Sequence, residues 1–339
     1  MDYLKITPPL PDELIAELTK LWEETFETSY QSFHTLLSGA ERDANHNTVY
    51  LLREQGQLVG TCHLTTSNAL PQLGGLGEVA THPAFRRRGI AARLCEQARN
   101  DFCGNASSHP QGREQNGEAV FLGTVNPDAA RVYYRLGWRK LAGANVMALI
   151  TQGRSPEEFL VDYFAEESPA TITLGTAADR IPMIPLIVCP HDWQVLDANV
   201  NIYSTRYATQ SSCMGLYPRY EALAEAGRGA WFAAYPDSGR LVGLSTAQLG
   251  ESNGCHVDGF THHRYENGFD DLINAAVHWG ISHNADTVYV TVSIEDEEKR
   301  ARFEALGFQA VGAGQAFTLD EREVASVRLE RSIDRESGN

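Results

Sequence analysis

Nowhere in the 339 residues does an uninterrupted apolar stretch approach the roughly 18 residues that cross a bilayer. The opening Met1-Asp2-Tyr3-Leu4-Lys5 also lacks the apolar core of a secretory signal. The expectation is a soluble, cytoplasmic protein with no membrane partner. Cysteine is scarce: the six residues, at 62, 95, 103, 189, 213 and 255, contain no Cys-x-x-Cys pair. That argues against a zinc ribbon or a disulfide framework and leaves reduced packing residues. Positive charge is in deficit as well, with 28 Lys and Arg against 44 Asp and Glu, a net −16. A phosphate backbone demands a basic face, so no nucleic-acid partner is expected.

What is present is a chain with 42% hydrophobic residues, long enough for about two domains. Its charge is unevenly spread. Residues 1–150 carry 14 basic and 16 acidic side chains, whereas 151–339 carry 14 and 28. An acidic second half draws cations toward any shared cleft, or serves solubility alone.

The first half reads as a strand at Tyr3–Ile6, helices at Pro11–Phe26 and Ser29–Leu37, and a hairpin of Thr48–Arg53 with Leu58–Thr65 across Glu54-Gln55-Gly56-Gln57. A third strand, Gly77–Thr81, leads through Arg86-Arg87-Arg88-Gly89 into an apolar-periodic helix from Ile90 to Phe102. A polar, Gly-rich loop from Gly104 to Gly117 precedes a strand at Ala119–Val125. The helix Asn126–Leu136 follows, with Asn126 as N-cap and Pro127 as first helical residue. Two β runs, Arg139–Ala142 and Asn145–Thr151, close this half.

The second half repeats the order. Strands are expected at Thr171–Leu174, Ala230–Tyr235, Leu241–Gln248, His256–Thr261 and Thr287–Ser293, and helices at Gly268–Ile281 and Glu295–Leu306. The copies also match locally. Tyr133-Tyr134-Arg135-Leu136-Gly137-Trp138 parallels Phe303-Glu304-Ala305-Leu306-Gly307-Phe308, and Ala80-Thr81-His82-Pro83 parallels Phe260-Thr261-His262-His263.

The arginine turn carries the sharpest chemistry. The first N–H groups of a helix lack intrahelical partners and sit at the positive end of its dipole, so they suit an anion. Gly89 allows close backbone approach, Ala91 keeps the next turn clear, and three arginines add planar donor forks. A solvated basic turn is the plainer alternative.

With strand order, the Arg-x-x-Gly-x-Ala turn (Arg86, Gly89, Ala91) and the Asn-Ala-Tyr-Gly-aromatic helix (Asn126, Ala129, Tyr133, Gly137, Trp138), the first half resembles the GNAT acetyltransferase superfamily over nearly its whole length. The second half resembles the same fold with weaker motifs. The resemblance implies an α/β (α+β) protein of two tandem GNAT folds, each a mixed, mostly antiparallel sheet with a central splayed strand pair and flanking helices. The implied boundaries are 1–151 for a catalytic acyl-CoA-binding domain, 152–169 for a linker, 170–330 for a degenerate copy and 331–339 for a tail.

The same resemblance implies acetyl-CoA as co-substrate, without a metal. Its pyrophosphate would lie on Arg86, Arg87, Arg88, Gly89, Ile90 and Ala91. Its pantetheine arm would run along Val79, Ala80 and Thr81, with Asn126 as a further contact. Tyr133 aligns with the tyrosine that protonates the departing thiolate, and a phenol is chemically able to do so. Glu78, one residue before the backbone donors expected to face the thioester oxygen, is the candidate base. A water relay through backbone carbonyls remains the alternative. Phe26, Tyr30 and Phe33, on one aromatic face with Trp22, are candidates for the acceptor site.

In the second half, Tyr265-Glu266-Asn267-Gly268-Phe269-Asp270-Asp271 replaces the arginine turn, and Phe303 replaces the tyrosine. Carboxylates there suit the helix dipole but repel a pyrophosphate. A non-catalytic second half that shapes the acceptor site is expected. The partner is then a small-molecule amine, possibly cationic, for a monomer or homodimer. A peptide or protein amine as acceptor, and a non-enzymatic acyl-CoA-binding scaffold, are the rival readings.

Overall fold

The computed structural model describes residues 1–104, 117–166, 168–250 and 253–333. The first half runs β1 (Asp2–Ile6), α1 (Asp12–Phe26), α2 (Phe33–Leu37), β2 (Asn45–Glu54), β3 (Gln57–Ser67), β4 (Leu73–Thr81), α3 (Ile90–Gly104), β5 (Ala119–Gly123), α4 (Pro127–Arg135), β6 (Arg139–Lys140) and β7 (Val146–Ile150). Between its two ends, the Gly-rich loop expected at 104–117 lies outside the described residues. Local chemistry explains the sharpest joints. Gln55 and Gly56 both take positive φ, 52° and 84°, closing the β2–β3 hairpin in two residues. Asn126 Oδ1 accepts from the N–H groups of Asp128 (2.9 Å) and Ala129 (3.3 Å), starting α4 with Pro127 in its first turn. Helix α2 begins four residues later than the periodicity predicts, at Phe33.

The strands form a seven-stranded sheet in the order β1-β2-β3-β4-β5-β7-β6, antiparallel except for the central pair β4 and β5. Strand alternation divides its two faces. Val120 and Leu122 join Cys62, Leu64 and Leu76 under α3 and α4. Val49 and Leu51 turn the other way, under α1 and α2, while Phe121, Val146 and Ala148 meet the second half.

The connecting segment 152–169 carries α5 (Pro156–Tyr163), begun by a capping box in which Ser155 and Glu158 exchange hydrogen bonds. Phe159, Leu160 and Tyr163 are buried in the core that both halves share. The segment expected as a linker is therefore packed, because its apolar positions recur at helical spacing against two sheets at once.

The second half continues with β8 (Thr171–Leu174), α6 (Met183–Val188), β9 (Val195–Asp197), β10 (Ile202–Tyr203), α7 (Tyr217–Glu225), β11 (Gly229–Tyr235), β12 (Gly243–Leu249), β13 (Gly254–Thr261), α8 (Phe269–Ser282), β14 (Thr287–Ser293), α9 (Glu297–Ala305), β15 (Gln309–Ala313), β16 (Phe317–Leu319), β17 (Arg322–Val324) and β18 (Ser326–Ser332). Its main sheet is ordered β8-β11-β12-β13-β14-β18-β15, again seven strands, with β13 and β14 as the parallel pair. Each strand thus has a counterpart in the first sheet, so the fold is duplicated within the described residues. No helix among them is long and apolar enough to cross a membrane.

Candidate active site

Strands β4 and β5 pair only at Leu73–Gly75 with Ala119–Phe121 and then separate. A cleft of about 1100 Å³ opens beyond that point, lined by Leu76 to Val79 and Thr81 from β4, Leu122 to Asn126 at and beyond the end of β5, and the first residues of α3. The crevice past the ends of parallel strands is where open α/β sheets place ligands.

A β-bulge shapes the β4 wall. Thr61 pairs with Ala80 and His63 with Gly77, so Glu78 and Val79 together oppose the single residue Cys62. Glu78 takes φ of 47°, a left-handed conformation that a non-glycine residue adopts at an energetic cost. Its carbonyl accepts from Thr61 Oγ1 (2.8 Å), which in turn accepts from Trp22 Nε1 (2.9 Å). The bulge breaks the ladder, and Glu78 and Val79 line the cleft. Thr81 lines it too, whereas the Ala80 side chain is wholly buried beneath α1.

At the other end lies the arginine turn. A short 3₁₀ turn, Pro83–Phe85, is capped by His82, whose Nδ1 accepts from Ala84 N–H (3.3 Å). Arg87 (φ 63°) and Gly89 (φ 75°) then bend the chain into α3. Open space surrounds Gly89. Arg86, Arg87, Gly89, Ile90 and Ala91 all line the cleft. Arg88 turns elsewhere: it lies 3.4 Å from Glu54 Oε2 and over the Phe85 ring at 4.9 Å. The surviving constellation, a positive-φ glycine at a helix start with two arginines on a solvent-open groove, suits a pyrophosphate.

The third wall is α4. Tyr133, buried against Trp138 with ring centroids 6.4 Å apart, lines the cleft one turn beyond Ala129. Burial, followed by the neighbouring Cys95, Cys62 and Glu78, pushes its phenol well above the usual range. It therefore keeps its proton at any physiological pH. Asn126 also lines the cleft, with its carbonyl oxygen committed to the cap of α4.

Of the three aromatic candidates, Phe26 reaches the cleft and is 40% exposed. Tyr30 is buried and stacks between Phe26 (5.9 Å) and Phe33 (5.0 Å), so it supports the lip rather than forming it. Sequence reasoning missed other parts. Ser211, from the second half, lines the cleft, and a Cβ on Gly75 would strike Met214 Sδ. A Cβ on Gly123 would meet Ser212 Cα at 3.0 Å. Asn145 N–H also donates to Gln210 O (2.8 Å). Nothing local signals this wall. His63, which reaches Glu78 from behind, and Asn47, which holds His63, were missed as well. Their signal was available: Thr61, His63 and Thr65 are polar at every second position of a buried strand.

The corresponding region of the second half is filled by its own chain. Strand β13 keeps unbroken register with β12 from Cys255 to Thr261, so it has no bulge. Asp258 occupies the position of Glu78 and is wholly buried, paired with Lys299 Nζ at 2.6 Å. Lys299 also donates to the carbonyls of Val195 (2.8 Å) and Leu196 (3.1 Å), which lie over the strands. At the start of α8, Arg302 of α9 pairs with the Glu266 carboxylate and carbonyl.

Residues 45–140 match the family described as the acetyltransferase (GNAT) domain. That family uses acetyl-CoA. No curated protein matches the chain. Among solved structures, mutant forms of the spermidine/spermine N-acetyltransferase from Vibrio cholerae are similar at 16% identity and a TM-score of 0.39, spanning 49% of this chain and 95% of that one. The ribosomal-protein-S5-alanine acetyltransferase from Vibrio fischeri gives 13%, 0.39, 50% and 96%. A phosphinothricin acetyltransferase from Sinorhizobium meliloti, in complex with AcCoA, gives 15%, 0.39, 49% and 89%. Among the described residues, no group of three or more His, Cys, Asp and Glu side chains is placed to hold a metal.

Proposed function

We propose that the cleft between β4 and β5 transfers an acetyl group from acetyl-CoA to the amine of a small molecule by direct attack. The observation that carries this reading is the bulge at Glu78, which opens the β4 wall on the same groove that ends at the arginine turn. Arg86, Arg87 and the amides from Gly89 to Ala91 would hold the pyrophosphate. Backbone groups at Val79 and Thr81 lie where the pantetheine arm would run, and Asn126 flanks it.

Glu78 is read as the base that takes the ammonium proton released on attack. Tyr133 is the acid that protonates the sulfur as the C–S bond breaks. Holding the acceptor between the two converts a bimolecular step into an oriented one. Phe26, Thr25 and Ser211, all on the wall of this cleft, offer an apolar lip and hydroxyl groups to the acceptor's body.

Residues 170–330 are read as a non-catalytic GNAT-like copy whose own cleft is closed by Lys299, Asp258 and the segment before Asn199. Its segment Gln210–Met214 instead completes the wall of the first cleft. Residues 1–151 are then the catalytic unit, joined to it by the packed 152–169.

The test is free-thiol release from acetyl-CoA across a panel of primary amines. Tyr133→Phe is expected to lower kcat about a hundredfold while leaving the KM for acetyl-CoA unchanged. Acyl-CoA binding with no thiol release from any amine would favour the scaffold reading. Release with peptides alone would favour a protein acceptor.

A further inference from the structure

Behind Glu78 lies a chain of buried polar groups that packing alone does not require. His63 is wholly buried, and its Nδ1 lies 3.1 Å from Glu78 Oε2. Its Nε2 lies 3.0 Å from Asn47 Oδ1, which also accepts from Thr65 Oγ1 at 2.8 Å. Asn47 and Thr65 are themselves buried and face one another across the β2–β3 ladder. Buried polar groups are costly unless each is satisfied, and an apolar face would fill the same volume more simply. Here each bond leads to the next, and the series ends on the carboxylate in the cleft.

Asn47 contacts both Thr65 Oγ1 and His63 Nε2, so it anchors the ring on the side away from Glu78. Two lone pairs cannot face each other at 3.1 Å, so a proton lies on the line from Nδ1 to Glu78 Oε2. One carboxylate oxygen is thereby held and the other left for the cleft. Thr61 fixes the backbone of the same residue through its carbonyl. Side chain and main chain of Glu78 are thus gripped separately, by alternate residues of β3. This matters at a bulge, where φ of 47° leaves the side chain without the direction that a regular strand imposes.

We propose that His63, anchored by Asn47, is the positioning residue for Glu78 and sets the aim of its carboxylate at the acceptor amine. The inference rests on Glu78 being the base. Loss of aim costs kcat, because a reacting group misplaced by about 1 Å loses rate steeply, while the acyl-CoA groove some distance along the cleft is untouched.

Four single variants and one double variant test it, read by kcat, by KM for acetyl-CoA and by thermal unfolding. His63→Phe keeps a ring of similar size beside Phe33, whose centroid is 6.3 Å away, but removes the hydrogen bonds. It is expected to lower kcat about tenfold or more with the KM for acetyl-CoA unchanged. His63→Gln, which restores a donor to Oε2, is expected to recover several-fold of that loss. On a Glu78→Gln background, adding His63→Phe is expected to cost nothing further. Should the Phe variant not fold, Asn47→Leu is expected to act in the same direction through the lost anchor.

A purely structural His63 predicts the reverse order, with Phe at least as active as Gln, and that order overturns the proposal. So does a His63→Phe loss that persists in full on the Glu78→Gln background. If Glu78→Gln cripples kcat and His63→Phe does not, the positioning role alone fails. If Glu78→Gln retains full kcat, the base reading falls and the positioning role falls with it.

Discussion

Arg86, Arg87 and Arg88 are chemically alike, and only their surroundings separate them. Arg86 and Arg87 line the cleft, whereas Arg88 is spent on Glu54 and the Phe85 ring. A guanidinium on a phosphate contributes roughly 1.5–3 kcal/mol as a charge-assisted hydrogen bond. Exposed pairs such as Arg88–Glu54 contribute less than about 1 kcal/mol. Arg86→Ala and Arg87→Ala are therefore expected to raise the KM for acetyl-CoA about tenfold each, and Arg88→Ala to leave it within about twofold. Steady-state kinetics at fixed ionic strength distinguish the cases. A tenfold loss at Arg88 would mean that this side chain swings into the groove when the donor binds. The sequence placed the triplet at a helix start, but which members face the cleft was not legible, because that depends on where Glu54 lies across the hairpin.

At the scale of elements, one strand bulges and its duplicate does not. Strand β4 inserts an extra residue at Glu78, while β13 pairs continuously, and Asp258, Lys299 and β9 close the space above it. That closure leaves a titratable residue buried. Asp197 of β9 is wholly buried, and among the described residues its Oδ2 finds no hydrogen-bond partner. Burial, then the nearby Asp258, pushes its carboxyl up to about 8. In the unfolded chain it would titrate near its ordinary value of about 4. Between those values the unfolded state has given up a proton that the folded state still holds, so stability falls as pH rises across this window. Thermal midpoints are expected to decline from about pH 6.5 to pH 8, where the buried His191, His256 and His262 are largely neutral in both states, and Asp197→Asn to make that decline shallower. An unchanged slope in the variant would assign the effect to other groups.

The strand order and the duplication were readable, since period-2 runs, the Asn126-Pro127 cap and the repeated Leu-Gly-aromatic ending are local signals. The bulge was not, because Glu78-Val79-Ala80 reads as regular strand and no glycine marks the positive φ. The packing of α5 was equally hidden. A Ser-Pro-Glu-Glu start looks like a linker until both sheets are present to bury Phe159 and Tyr163.

At the scale of the whole molecule, the two halves share one hydrophobic core. Phe121, Val146 and Ala148 of the first sheet share a core with Trp231, Leu244 and Phe260 of the second half. Across the same boundary, Arg180 pairs with Glu41 through Nε (2.9 Å) and a second guanidinium nitrogen, and stacks on Tyr217 at 4.1 Å. Asn45 Nδ2 donates to Ala177 O (2.8 Å) beside it. Both ionic side chains are nearly buried, 5% and 10% exposed. Removing one partner strands the other's charge, so Arg180→Ala is expected to cost about 3–5 kcal/mol. Replacing both, as Glu41→Gln with Arg180→Met, is expected to recover most of that loss. The joint also bears on activity, because Gln210–Met214 reaches the first cleft only while the halves stay docked. Arg180→Ala should therefore show one unfolding transition at lower denaturant, by tryptophan fluorescence and far-UV circular dichroism alike. Two separate transitions would mean that each half stands alone, and that its neighbour's wall at Ser211 is an optional part of the site.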